Sequence, residues 1–189
     1  RAMALTVDQG LLRELLGEPE LRDLLDPDVI AAVEAELQHL ADGRKARGAD
    51  GIADLLRDLG PLSTTEIEAR CSEDPGPHLE ELEATRRVMQ LRVGGVDHWA
   101  ATEDASRLRD ALGAVPPPGI PEAFLESVDD PLGDVVGRFA RTHGPFTAQE
   151  AGLTLGLAPA VVAGALRALE ERGRITRGAF RPHGEGREW

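Results

Sequence analysis

The sequence predicts a mainly α fold with small β-hairpins, an α+β protein in which one unit occurs twice behind a short helical segment. Three observations predict it. The stretch Gly144-Pro145-Phe146-Thr147-Ala148-Gln149-Glu150 is echoed by Gly60-Pro61-Leu62-Ser63-Thr64-Thr65-Glu66. Each has a hydroxyl residue three positions before a Glu, the spacing of a capping box: the hydroxyl accepts from the amide three residues on, and the Glu reaches back to the amide of the cap. Phe146 and Leu62, just before the caps, are placed as hydrophobic staples. Beyond the caps the echo continues. A helix with Leu166 and Leu169 runs into Gly173, Arg174 and Ile175, as an earlier helix with Leu79 and Leu82 runs into Arg86, Arg87 and Val88. Finally, an apparent strand follows each of these helices. The spacing between copies grows only in the turn between the second and third helices, where length varies most freely.

Taken in order, leucines at helical spacing over Leu5–Leu16 and Pro19–Leu25 predict one or two short helices. Asp26-Pro27 is a helix start, an acidic N-cap followed by proline in the first turn. The helix after it places Val29, Ile30, Val33, Leu37 and Leu40 on one side and Glu34 and Glu36 away from it, and reads as packing material. Asp42–Asp50 is a charged, glycine-containing connection. Residues 1–48 are thus a helical front segment. The first copy, 49–113, begins with a helix over Ile52–Leu59. A second helix covers Ser63–Cys71 and a third Pro77–Arg87. A strand over Val88–Val93, a Gly94-Gly95 hairpin turn and a returning strand over Val96–Ala101 follow, then a short helix over Ala105–Leu112. Three helices followed by a β-hairpin is the winged-helix arrangement, a helix-turn-helix with a wing. Residues 114–130, with four prolines by Pro121, read as a linker. The second copy, 131–189, has helices over Pro131–Thr142, Thr147–Gly156 and Pro159–Arg172. Its hairpin pairs Arg174–Arg177 with Phe180–Trp189. The sequence stops at or near this last wing strand, so a longer parent chain is expected.

Composition narrows the function. At 189 residues with 41% hydrophobic content, the chain can form one or two small cores. No apolar run approaches the roughly 18 residues of a membrane span, so no membrane partner is expected. No basic-then-apolar leader is present, and a single cysteine, Cys71, fits a reducing cytoplasm. The net charge of −13 argues against coating nucleic acid all over, but it is unevenly spread. From 131 to 189, arginines 138, 141, 167, 172, 174, 177, 181 and 187 face six acids, a net of +2. That leaves −15 on the first 130 residues.

No catalytic motif emerges. A phosphate-binding loop requires Gly-Lys-Ser/Thr, and the one lysine, Lys45, is followed by Ala46. The five His and Cys71 lack metal-ligand spacing, no Gly-x-Ser-x-Gly elbow occurs, and the pairs Glu80/Glu81 and Glu170/Glu171 read as solvated helix faces. The third helix of a winged helix is the one able to enter a major groove. In the first copy it carries Glu80, Glu81 and Glu83, which repel phosphates and suit packing or partner contact. In the second copy it carries Arg167 and Arg172 with small residues at Ala158, Ala160, Ala163, Gly164 and Ala165. These small residues permit either a close approach to another surface or tight helix packing. Arg174, Arg177, Arg181 and Arg187 are placed to straddle a nucleic-acid backbone, or else to decorate a hairpin beside Glu185 and Glu188. Thr147, Arg167, Arg172, Arg174, Arg177, Arg181 and Arg187 are therefore the candidate DNA-binding residues.

The run from Asp130 to Thr147 (Asp-Pro-Leu-Gly-Asp-Val-Val-Gly-Arg-Phe-Ala-Arg-Thr-His-Gly-Pro-Phe-Thr), the run from Arg172 to Arg181, and the final Arg187-Glu188-Trp189 resemble the large helicase-related (Lhr) proteins of bacteria. So do Ala31–Leu40 and Pro121–Glu126. The resemblance implies part of the C-terminal winged-helix region of an ATP-dependent 3′-to-5′ DNA helicase linked to DNA repair, with ATP and Mg²⁺ confined to a motor elsewhere in the parent. It implies a cytoplasmic, nucleoid-associated protein whose partners are DNA, the rest of the helicase chain and, as an alternative, further copies of itself. Winged helices of this region are also similar to those of a bacterial DNA glycosylase family, but no catalytic residue can be carried onto this sequence. The expected function is a non-catalytic accessory module for DNA engagement. The alternatives are a structural or oligomerisation module, and part of a base-excision region.

Overall fold

The computed structural model describes residues 25–182 and 187–189. Among them are eight α-helices and one two-stranded antiparallel sheet. In chain order these are α1 (Pro27–Leu37), α2 (Gly48–Leu59), α3 (Thr64–Arg70), α4 (Gly76–Ala84), β1 (Val88–Val93), β2 (Val96–Ala101), α5 (Ala105–Leu112), α6 (Pro131–Thr142), α7 (Ala148–Leu155) and α8 (Pro159–Glu171). The helices expected before Leu25 lie outside the described residues.

The Asp26 carboxylate caps α1 by accepting from the Asp28 amide at 2.9 Å, with Pro27 in the first turn. The apolar stripe of this helix is not the face it packs on within the chain. Val29, Val33, Leu37 and Leu40 are 58%, 51%, 39% and 41% exposed, so the apolar stripe faces outward. The segment is held instead by the buried side chain of Gln38. Its Nε2 donates to the Thr142 carbonyl at 2.7 Å and its Oε1 accepts from Arg70 at 2.7 Å.

Both capping boxes form. Ser63 Oγ accepts from the Glu66 amide while Glu66 Oε2 accepts from the Ser63 amide at 2.8 Å. Thr147 and Glu150 repeat the arrangement at the start of α7, where the Thr147 amide donates to Glu150 Oε2 at 2.6 Å. The staple residues Leu62 and Phe146 are buried. Each also pairs its backbone with a tryptophan: Leu62 with Trp99, and Phe146 with Trp189. The strands match the expected boundaries, in register from Val88↔Ala101 to Val93↔Val96. Gly94 and Gly95, at φ 57° and 86°, supply the two left-handed residues of a two-residue hairpin turn.

Two cores meet along this hairpin. The first gathers Ile52, Leu55, Leu56, Ile67, Leu79, Leu82 and Val88, with Trp99 against it. The second takes Met89, Leu91 and Val93 from the opposite face of β1 and packs them with Leu108, Val136, Phe139, Leu155, Val162 and Leu166. The proline-rich stretch is anchored rather than loose. Ala114 is in the second core, Gly119 O accepts from Arg86 at 3.2 Å, and Leu125 O accepts from Arg109 at 3.0 Å.

The expected hairpin of Arg174–Arg177 with Phe180–Trp189 does not form a ladder among the described residues. A single bridge joins Gly178 and Glu188. The reason is local. The Glu188 carboxylate accepts from the amides of Phe180 and Arg181 at 3.0 and 2.9 Å, which removes the donors a longer ladder would use.

Candidate nucleic-acid interface

The second half presents one helix outward. Three apolar positions of α8, Val162, Leu166 and Leu169, are buried, while Ala160, Val161, Gly164 and Arg167 face solvent. Nothing lies within 4 Å of where a Cβ on Gly164 would point. Small residues on an uncovered helix face leave room for the backbone to approach a bulky partner. The corresponding helix of the first half, α4, also exposes its outer face, but that face bears Glu80, Glu81 and Glu83. The two helices thus differ in the charge of their exposed faces.

The structure separates the candidate arginines into two groups. Arg167, Arg174 and Arg177 are exposed and have no carboxylate within ion-pair distance among the described residues. Arg177 sits 5.3 Å from the centre of the Trp189 ring, a cation–π contact that leaves its charge on the surface. Arg187 is also exposed. Arg172 and Arg181 are engaged. Arg172 donates to Asp130 at 2.9 Å, and that carboxylate, which also caps α6 at the Gly133 amide, is held below its usual range by Arg172 first and by the cap second.

Arg181 is a clamp. Its two terminal nitrogens grip Glu150 at 2.8 and 2.9 Å, and its Nε meets Glu188 at 2.5 Å. The guanidinium holds the Glu150 carboxyl down at about 2, with help from the Thr147 amide and hydroxyl, while burial works the other way. Burial pushes the fully enclosed Glu188 up, yet the Arg181 amide and guanidinium and the Phe180 amide outweigh it. Thr147 lies in the same network: its hydroxyl donates to Glu150 at 2.8 Å and accepts from the Glu150 amide at 3.2 Å. The structure therefore brings Thr147 and Arg181 together as part of the scaffold and leaves Arg167, Arg174 and Arg177 at the surface.

Sequence reasoning missed the polar seam between the halves. Arg138 of α6 makes a two-pronged contact with the buried Asp104, and Arg107 joins them at 3.3 Å. Behind them, the half-buried His143 stacks on Phe139 with ring centres 3.6 Å apart, and burial lowers its pKa. Asp104 immediately precedes the helix Ala105–Leu112, a signal that permits a cap but does not name Arg138 as its partner.

The family model for the winged-helix domain of large helicase-related proteins matches residues 23–127. The chain is 47% identical over 190 residues, all of this chain and 13% of the relative, to the Mycolicibacterium smegmatis protein named "Lhr helicase/probable uracil glycosylase". It is 42% identical over 178 residues, 93% of this chain and 12% of the relative, to the Escherichia coli "Lhr helicase/uracil glycosylase". The chain thus spans only a small part of the length of either relative.

Proposed function

Because this chain belongs to the large helicase-related family and contains its winged-helix domain, we propose that it is a tandem winged-helix module, without catalysis of its own, that helps a DNA-repair helicase engage DNA. The observation that carries this reading is the α8 face. It is small, uncovered and flanked by Arg167, Arg174 and Arg177, which keep free charge in a chain of net −13. Phosphates recruit such arginines, and an unobstructed helix can settle into a groove. Two backbone-paired tryptophans, Trp99 and Trp189, behind two capping boxes support the tandem reading, each closing its unit against the staple residue. In the parent protein ATP and Mg²⁺ belong to a motor. They do not fit here, since Lys45 sits outside any Gly-Lys-Ser/Thr arrangement. The parent is proposed to act in the bacterial cytoplasm, at the nucleoid. The relatives' names include a uracil glycosylase, but no residue of this chain is assigned to that chemistry.

Fluorescence anisotropy with single- and double-stranded DNA across a salt series tests the proposal. Replacing Arg167, Arg174 and Arg177 together by Ala should weaken binding. It should also flatten the log–log salt slope by about 2–3, since each phosphate left without its arginine removes about 0.7–0.9. Unchanged affinity and slope would refute it. A second reading, a packing module for the rest of the helicase chain or for sister copies, is favoured by the outward apolar stripe of α1 and the acidic face of α4. Failure of the chain to bind DNA even at low salt would move the assignment there.

A further inference from the structure

We propose that the seam between the two halves is a binding site for a small phosphate-bearing ligand with an apolar body, held by Arg70. A cavity of about 570 Å³ opens there, within the range of roughly 300–1,000 Å³ usual for small-molecule sites. Both halves build it. The Gly60–Ser63 turn and Arg70 come from the first, the hairpin tip at Gly94 from the sheet, and Phe139 and the end of α7 from the second.

The arginine is the unusual feature. Arg70 is only 8% exposed, yet no carboxylate lies within ion-pair distance of it among the described residues. Its terminal nitrogens donate to neutral oxygens, the Glu66 carbonyl at 2.9 Å and Gln38 Oε1 at 2.7 Å, and its Nε is buried with no partner. Burial lowers the pKa of Arg70, and the Glu66 carboxylate only partly offsets it from beyond contact distance. A buried charge without a contacting counter-charge is costly, and so is a buried donor without an acceptor. A phosphate at the cavity wall supplies the missing direct counter-charge, because the guanidinium fork matches phosphate geometry.

Neighbouring charges are otherwise occupied. Glu66 Oε2 is held by the Ser63 amide and hydroxyl at 2.8 and 2.7 Å, and Arg138 by Asp104. The rest of the wall is largely apolar, including Leu62, Val93, Phe139 and Leu155, which suits an uncharged ring or chain attached to the phosphate. This site is separate from the α8 face and does not depend on that face binding DNA.

The test is a titration of the whole chain with a nucleoside monophosphate, the parent nucleoside and inorganic phosphate. Melting temperature and the Arg70 Nε–H resonance are followed together. The expected result is a saturable rise in melting temperature and a shifted Arg70 resonance with the monophosphate. Inorganic phosphate should give a weaker response and the nucleoside none. Arg70→Met should abolish the response. Should that variant not fold, Thr154→Trp places a large side chain at the cavity wall with Arg70 intact, and should weaken binding by about tenfold or more. Three results would overturn the proposal: no response to any probe, which makes this a water-filled seam; a response that survives Thr154→Trp; or one removed by substituting Arg167, Arg174 and Arg177, which relocates binding to the outer face.

Discussion

Replacing Arg181 by Met asks whether this arginine belongs to the fold or to a DNA contact. Its guanidinium bonds to carboxylates on two residues, Glu150, 47% exposed, and Glu188, fully buried. The Glu150 pair looks strong from its carboxyl, held down at about 2 instead of 4.5. Its exposure discounts that heavily, and a solvated pair of this kind contributes about 0.5–1 kcal/mol. Glu188 is different. Without Arg181 Nε it keeps, among the described residues, two backbone donors in a buried site. Removing a charge-assisted bond to a buried carboxylate costs about 1.5–3 kcal/mol. The closing layer is thin, at the edge of the second core, so the low end applies, and the total is about 2–3 kcal/mol. For a chain of this size that corresponds to a fall in melting temperature of about 4–12 °C. Urea unfolding followed by circular dichroism and tryptophan fluorescence measures it. The pH dependence supplies a second check. A depressed carboxyl stabilises the fold above its unfolded pKa near 4.5, and that contribution is lost as pH falls toward about 2. Arg181→Met should flatten this acid-side dependence. A stability loss below about 0.5 kcal/mol together with a large loss of DNA affinity would refute the clamp and return Arg181 to the interface.

Other predictions concern the seam and the glycines. Asp104→Ala leaves Arg138 without its buried carboxylate and should cost about 3–5 kcal/mol in urea unfolding. His143 is held neutral by burial, so its contribution is complete above about pH 6.5 and is lost as pH falls through its lowered folded pKa. Stability should therefore fall as pH drops below about 6.5, and His143→Gln should reduce that fall. Gly156→Ala forces φ 66° on alanine and brings a Cβ within 2.9 Å of the Gly94 Cα, so it should destabilise by about 2 kcal/mol or more, read by melting temperature. Gly164→Ala, in an exposed helix interior with open space, should stabilise by about 0.5–1 kcal/mol in the same assay.

Where local chemistry decides structure, the sequence was legible. The capping boxes, the Asp26-Pro27 start and the Gly94-Gly95 turn each depend on residues within a few positions, and the strand limits came out residue for residue. The α1 stripe misled because periodicity says which residues share a face and not whether a partner covers it. The last hairpin misled for another reason: a side chain, Glu188, took backbone donors that the pattern assigned to a ladder. At the candidate interface, arginine density could not separate Arg181 from Arg177. Their difference rests on Glu150, 31 residues away in the chain. Arg70, Gln38 and His143 carried no sequence signal at all, since their meeting depends on how two units dock.

That docking also explains why the two units diverge in charge. In the first unit the hairpin that would serve as a wing turns Met89, Leu91 and Val93 into the second core, and its tip at Gly94 touches Gly156. On the proposed reading, a wing used for packing cannot also straddle a nucleic-acid backbone, so the first unit would not bind DNA with wing and helix together. Its third helix is then released from any need for basic residues, and Glu80, Glu81 and Glu83 carry no penalty there. Among the described residues the second unit contributes no such strand to its neighbour, and while its Arg138 is spent in the seam, Arg167, Arg174 and Arg177 stay exposed. On the proposed reading, one unit acts as the platform that fixes the orientation of the other. The platform has its own consequence: loosening the seam through Asp104 should lower DNA affinity without removing a single surface arginine.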